Sequence, residues 1–427
     1  MKITAIVSLV LALSIASIAQ TMPADADPAL WQRALKLHRK AIVIDGHNDI
    51  TGPMVDMDLN LAEDSTTRRQ PGGEALHTDI ARLKKGGMTG EFMAIYVSGN
   101  TLRTGGAMRR AMDLIDATNR EAERHEDLVS CTTAADIRQA KKRNKICLLM
   151  GIEGGYAIEN SLYALRNFYR LGVRYMTLTH NVSHDWADAH NGEVKNNGLS
   201  EFGKEVVREM NRIGMLVDIS HVSEKVMSDV LDVTKAPLIA SHSGARGVNN
   251  HTRNVPDSIL KRLPQNGGVI MVVFYPSFLD ERTGREASER SARLRDQIAA
   301  LRERFKDDPA GFVKAEAELM AANPVYVTDY KRIVDHIDHI KKVAGIDHVG
   351  LGSDFDGVDV LPTPMKGVED LPLVTYEMLR RGYTEQEVRK VLGENFLRAF
   401  AQAERVAGNR QISGQGSLKK LAPTKIN

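Results

Sequence analysis

Short apolar runs, rich in Ile, Val, Leu and Met, recur along the chain. They alternate with longer stretches in which apolar positions return every three or four residues. Eight runs read as strands, near residues 41–45, 92–97, 146–152, 175–179, 215–219, 238–241, 269–274 and 348–352. The stretches between them read as helices, for example 161–171 and 200–213. In the second, Phe202, Val206, Met210 and Ile213 fall at i, i+4, i+8 and i+11, the spacing of one buried helix face. Strands separated by helices predict parallel βα units, and eight of them favour a closed (β/α)8 TIM-type barrel over an open, doubly wound sheet. No Gly-x-Gly-x-x-Gly or Walker loop follows a strand, which argues against a nucleotide-binding fold.

One segment breaks the rhythm. Residues 280–322 are highly charged, with Leu294, Ile298, Leu301 and Phe305 at helical spacing. Asp307-Asp308-Pro309 interrupts that helix, and a second follows from Phe312 to Met320. The pattern predicts a helical hairpin inserted between the seventh and eighth strands, read as a solvated decoration rather than a lid or a dimer contact. At the start, Lys2 precedes an apolar run to Ile18 with small residues at Ser17 and Ala19. Residues 1–19 therefore read as a signal peptide, too short for a firm membrane span, with a retained anchor as the alternative. No Cys follows the run, which excludes a lipoprotein anchor. The expected protein is exported, periplasmic or secreted, with one domain over 20–408 and a polar tail over 409–427.

Composition changes this picture little. Hydrophobic residues make up 42% and charged residues 26%, as in an ordinary globular enzyme. A net charge of +2 gives no reason to expect nucleic acid or an anionic membrane as partner. Cys147 lies in an apolar run, where a buried thiol is the default, and its pairing with Cys131 is left open.

The chemistry gathers where apolar runs end. His47 and Asp49 close the first run, Glu153 the third, His221 the fifth, His242 the sixth and Asp354 the last. In a parallel barrel all these ends share one mouth. Period two turns His47 and Asp49 the same way, and imidazole with carboxylate suits zinc. A strand-end carboxylate such as Glu153 is costly to bury unless it is paired or bound to a cation, and Gly151, Gly154 and Gly155 let a ligand come close. Taken singly, each residue has a structural reading: a hydrogen-bonded core histidine, a salt-bridged glutamate. Together, three histidines and two carboxylates suffice for two ions if one carboxylate bridges. Two metals sharing a hydroxide lower its pKa and polarise a scissile carbonyl.

Asp354 reads as a proton shuttle and Asp356 as a turn residue. His180 reads as a donor to a developing oxyanion, and Arg253 as a bidentate clamp for a substrate carboxylate, a structural role being the alternative for both. His184 and His190 are placed near the site but not as ligands. His336 and His339 stand i, i+3 beside Ile333, Ile337 and Ile340 and are assigned to the surface.

Asp45-Gly-His-Asn-Asp, Gly151-Ile-Glu-Gly-Gly, Thr177-Leu-Thr-His-Asn, Asp218-Ile-Ser-His-Val-Ser, Ala240-Ser-His-Ser, Arg253-Asn-Val-Pro-Asp and Gly352-Ser-Asp-Phe-Asp-Gly resemble, in that order, the renal (membrane) dipeptidase family of zinc metallopeptidases. The resemblance runs from about residue 41 to residue 400. It implies a metallo-dependent hydrolase barrel that binds two Zn2+ and cleaves dipeptides, some with a D-residue on the C-terminal side. By resemblance, His47 and Asp49 would hold one zinc, His221 and His242 the other, and Glu153 would bridge them. His180 would contact the substrate near the oxyanion, Arg253 would bind its carboxylate, and Asp354 would move the proton to the leaving amine. The chain departs from mammalian members in a longer hairpin, in its cysteines and in having no lipid-anchor signal. Such barrels often dimerise, and a homodimer is left open. The other enzymatic reading is a zinc amidohydrolase acting on a lactam or an N-acyl amino acid.

Overall fold

The computed structural model describes residues 20, 22–70, 73–411, 416, 417, 419 and 421, so the expected signal peptide and most of the expected tail lie outside the described residues. Nine strands form: β1 (Ile44–Asn48), β2 (Gly90–Tyr96), β3 (Leu128–Ser130), β4 (Ile146–Glu153), β5 (Val173–Thr177), β6 (Leu216–Asp218), β7 (Ile239–Ser243), β8 (Val269–Val272) and β9 (Val349–Leu351). Every pairing is parallel. The order runs β2-β1-β9-β8-β7-β6-β5-β4, and β4 pairs back to β2 from Gly90↔Cys147 to Tyr96↔Glu153, closing an eight-stranded barrel. The eight strands expected from the sequence are its staves. β3 was not foreseen, because three residues carry too little pattern; it pairs with the first half of β4, ahead of β5.

The staves are buried on both faces, as in sheets covered by helices. Ile44, Phe92, Leu149, Tyr175, Leu216 and Met271 belong to an inner cluster, and the helix Asn395–Gln411 lays Phe396 and Phe400 against it. Asn395 and Arg398 of that helix donate to backbone carbonyls just before or at the start of β8 and β9. The helix therefore covers the end where strands begin and leaves the C-terminal end for chemistry. Helix boundaries follow cap chemistry: Ser161 caps Leu162–Arg170, Ser200 caps Glu201–Ile213, and Gly214 ends the latter at φ 87°.

Between β8 and β9 two helices, Glu281–Arg304 and Pro309–Ala321, form the hairpin, with Leu294 buried. Its Val313 meets the loop after β1: a β-carbon on Gly73 would lie 3.1 Å from Val313 Cγ1. Cys131 and Cys147 are joined in a disulfide, brought together because Val129 of β3 pairs with Cys147 of β4. The surface assignment of His336 is corrected. It is fully buried, its Nδ1 accepts from the Ala245 amide at 2.8 Å, and its Nε2 lies 3.0 Å from the Leu279 carbonyl. Helix Lys331–Ala344 packs against β8 and β9, so its buried face is wider than the isoleucine stripe. His339 is partly buried against Asp257. Among the described residues no helix is long and apolar enough to cross a membrane.

Candidate metal centre

Each candidate ligand sits at the C-terminal end of a stave or just beyond it. His47 is in β1, with Asp49 one residue past its end. Glu153 ends β4, His242 is in β7, His221 lies three residues after β6 and Asp354 three after β9. His47 and His242 are fully buried, and their ring centroids stand 3.9 Å apart. Glu153 lies between two groups. Its Oε2 is 3.5 Å from His47 Nε2, which is itself 3.2 Å from Asp49 Oδ2. Its Oε1 is 2.9 Å from His221 Nε2 and 3.4 Å from His242 Nε2, and these two nitrogens are 2.8 Å apart. One carboxylate thus turns an oxygen to each side.

The three imidazoles all point Nε2 inward, and the opposite nitrogen explains why. Ser241 Oγ donates to Asp218 Oδ2 at 2.6 Å, so it accepts from His242 Nδ1–H at 2.8 Å. Asn181 Oδ1, 3.0 Å away, accepts from His221 Nδ1–H. His47 Nδ1 is 2.8 Å from Tyr175 Oη. In each case the protonated nitrogen faces outward and a lone pair is left for a cation, as in histidine-ligated metal sites generally. His47 Nε2 is buried without a hydrogen-bond partner. A buried nitrogen facing two carboxylates needs positive charge between them, supplied by a proton on the ring or by a bound cation. The donor set of nitrogen and oxygen fits zinc.

Electrostatics agree with this. Burial alone would raise the Glu153 carboxyl, but His47, His180, His221 and His242 outweigh it and hold it well below the usual range. Burial, with Arg253 nearby, keeps His221 and His242 neutral. An ionised carboxylate beside neutral His221 and His242 is the protonation state metal binding requires. His47, despite its burial, is held well above its ordinary value by Tyr175, Glu153 and Asp49, so a cation bound there would displace a proton. Burial also pushes Asp354 up to about 8; Asp49 and Glu153 add to the rise and His47 and Arg253 oppose it.

Asp354 joins His47 and Asp49 in one cluster of ligand-capable atoms. Gly357 makes room for both carboxylates, since a β-carbon there would lie 2.3 Å from Asp49 Oδ2 and 2.6 Å from Asp354 Oδ1. His180 Nε2 is 3.9 Å from Glu153 Oε1, further out than His221, and His180 lines a cavity of about 700 Å³ with Asp49, Glu153, His221 and Asp354. Tyr96, Phe278, Gln70 and Glu74 form other parts of its wall. Arg253 is not on that wall. It is buried beneath Phe278, donating to Ser243 Oγ and the His242 carbonyl, with its Nε–H unpartnered. Asp356 is buried and accepts from the His77 amide, so it anchors the loop after β1 as well as turning the chain.

All eight residues singled out from the sequence thus converge on one mouth, Arg253 behind the others. His184 and His190 hydrogen-bond to Leu178 and Thr252 instead of joining the cluster. The sequence reading missed the residues behind the candidate ligands: Tyr175, Asn181, Asp218, Ser241 and Gly357. Asp218 had a signal, an acid inside an apolar run; Tyr175 had none.

A family model for membrane dipeptidases, peptidase family M19, matches residues 31–414. Among solved structures, PvdM of Pseudomonas aeruginosa is 23% identical and shares the fold, with a TM-score of 0.73 over 90% of this chain and 100% of that one. A metallopeptidase described as dipeptidase AC is 27% identical, with a TM-score of 0.66 over 85% of this chain and 99% of that one. A metallopeptidase from Rhodobacter sphaeroides, solved with a phosphinate mimic of the dipeptide L-Ala-D-Ala, is 26% identical, with a TM-score of 0.65 over 85% and 99%. With the barrel and its cluster of imidazoles and carboxylates, the match over nearly all of the chain shows that it belongs to the membrane dipeptidase family, peptidase family M19, as a metal-dependent dipeptidase.

Proposed function

We propose that the protein is a binuclear zinc dipeptidase that accepts a D-residue on the C-terminal side, as in L-Ala-D-Ala. The observation that carries the two-ion reading is Glu153, whose Oε2 faces His47 and whose Oε1 faces His221 and His242. His47 and Asp49 would hold one ion, His221 and His242 the other, with Glu153 between them. Bound there, two zinc ions would supply a water of lowered pKa, a bridging hydroxide, and polarisation of the scissile carbonyl. Acceptance of a D-residue is supported by the mimic of L-Ala-D-Ala bound to the Rhodobacter relative.

The chain's own residues supply orientation and proton transfer. Arg253 has one N–H without a partner in a buried setting, and a substrate carboxylate would satisfy it. His180, on the cavity wall, is placed to donate to the oxygen of the cleaved carbonyl as charge develops there. Asp354, on the cavity wall and in one cluster with His47 and Asp49, is placed to take up a proton and pass it to the leaving amine. Export is part of the same reading: the Cys131–Cys147 disulfide suits an oxidising compartment, and residues 1–19 have the pattern of a signal peptide.

The deciding experiment measures metal per chain on purified protein, with release of alanine from L-Ala-L-Ala and L-Ala-D-Ala before and after chelation. About two zinc ions and chelator-sensitive release are expected. Two ions without dipeptide cleavage would shift the reading to a lactam or N-acyl amino acid, and one ion or none would refute the binuclear centre.

A further inference from the structure

We infer that Tyr175 is a positioning residue for the metal centre, setting through its phenol which nitrogen of His47 can bind a cation. The inference rests on the proposed role of His47 as a ligand and deepens it. Tyr175 belongs to β5, three staves from β1 in the barrel order β1-β2-β4-β5, and its side chain crosses the barrel interior to reach His47. The crossing depends on Gly151. That residue is Tyr175's register partner on β4, and a β-carbon on it would lie 2.0 Å from Tyr175 Cζ and 2.2 and 2.3 Å from the two Cε atoms. A glycine in the middle of a strand gives up side-chain packing and adds backbone entropy to the unfolded chain. Here it provides the space in which the ring lies.

The hydroxyl then fixes a proton on one nitrogen of His47. Tyr175 Oη has a single hydrogen, and it donates that hydrogen to the Gly46 carbonyl at 3.0 Å, a group that can only accept. The contact of 2.8 Å with His47 Nδ1 must therefore be donated by the imidazole. A proton fixed on Nδ1 leaves the Nε2 lone pair toward Asp49 and Glu153. Packing alone does not require the hydroxyl. Tyr175 is fully buried against Phe92, with ring centroids 5.0 Å apart, and a phenylalanine would fill the same volume. The hydroxyl has two partners, both in β1: the ligand and the carbonyl that fixes the direction of the bond.

The test begins with the zinc-loaded wild-type protein carrying 15N-labelled histidine. His47 is expected to show a proton on Nδ1 that is protected from exchange, with Nε2 bound to metal. Coordination through Nδ1, or an Nδ1 without a proton, overturns the inference without any variant. The second measurement is competition with a chromophoric chelator, comparing wild type with Tyr175→Phe. One of the two ions is expected to bind roughly 10–100-fold more weakly, with the other unchanged, as when a ligand's outer partner is removed. Melting of both proteins in chelator separates this from a general loss of fold. Gly151→Ala, which displaces the ring, is expected to weaken the same ion. If Tyr175→Phe folds and holds both ions as tightly as wild type, the inference is wrong while the dipeptidase reading stands. If wild type binds fewer than two ions, the binuclear reading fails on its own.

Discussion

His221, Asp354 and Asp356 hold φ angles of +64°, +67° and +64°, in a region that non-glycine residues seldom occupy. Each such residue costs on the order of 1 kcal/mol or more, and three at one mouth mark a place where geometry has been kept at the expense of stability. For Asp354 the conformation follows a backbone bond from its amide to the His47 carbonyl at 3.1 Å, which ties the end of β9 to the end of β1. Its carboxyl is then aimed at the cluster while the backbone is held elsewhere. Asp354→Asn keeps size and shape but cannot carry the proton. Turnover is expected to fall by roughly 10²–10⁴-fold, with both metals retained. Loss of metal in that variant, read by elemental analysis, would make Asp354 a ligand instead. Arg253→Ala removes the buried guanidinium, and kcat/KM for small dipeptides is expected to fall by roughly tenfold or more, the order of a lost charged hydrogen bond. Equal activity of the variant and wild type on L-Ala-L-Ala would rule out the clamp.

At the scale of elements, the loop after β1 and the hairpin after β8 act on one cavity. Gln70 and Glu74 line it, Gln70 donates to the Asp356 carbonyl at 2.7 Å, and Gly73 between them packs on Val313 of the hairpin. Phe278, on another part of the wall, belongs to the short helix Pro276–Leu279 that leads into the hairpin. The hairpin provides none of the metal-cluster residues, yet it touches segments that shape the wall. Excising Glu281–Ala321 is expected to leave metal content unchanged and to raise KM for dipeptides, read by elemental analysis and steady-state kinetics. Loss of metal would show that the hairpin supports the centre itself. An unchanged KM would leave it a decoration, as its charge pattern suggests.

Across the whole molecule, buried histidines away from the metal cluster set a limit on acid stability. Burial depresses His38, His184 and His336 to about 4, against an ordinary value near 6.5. Their folded pKa values lie below the unfolded ones, so the unfolded chain takes up more protons between these limits. The stability they contribute is complete above about pH 6.5 and is lost as pH falls through about 4. At full depression each accounts for on the order of 3 kcal/mol. Buried carboxyls with raised values, Asp45, Asp354 and Asp356 among them, act in the opposite direction. The check is therefore on the rings themselves: NMR signals of His38, His184 and His336 in chelator are expected to stay in the neutral form from pH 7 to 5. Protonation of these rings near pH 6.5 would contradict their neutral, buried state.

Much of the architecture was legible before any tertiary contact was known. Apolar runs of strand length, alternating with helical periodicity, contain their own reason to form parallel staves, and a barrel places all their C-terminal ends together. His47, Asp49, Glu153, His221, His242 and Asp354 were readable because each interrupts or ends an apolar run, where a polar group needs a reason to be. What the sequence could not contain is contact across the barrel. Tyr175 reads as one more apolar residue of a strand, and only closure of β1, β2, β4 and β5 into a ring brings its hydroxyl to His47. His336 reads as the polar edge of an amphipathic helix, and only the packing of that helix on β8 and β9 buries it. Cys131 and Cys147 required the pairing of β3 with β4 to meet. Periodicity is a local property and is written along the chain. The partner of a buried hydroxyl, imidazole or thiol is a residue distant in sequence, and only the closed fold chooses it.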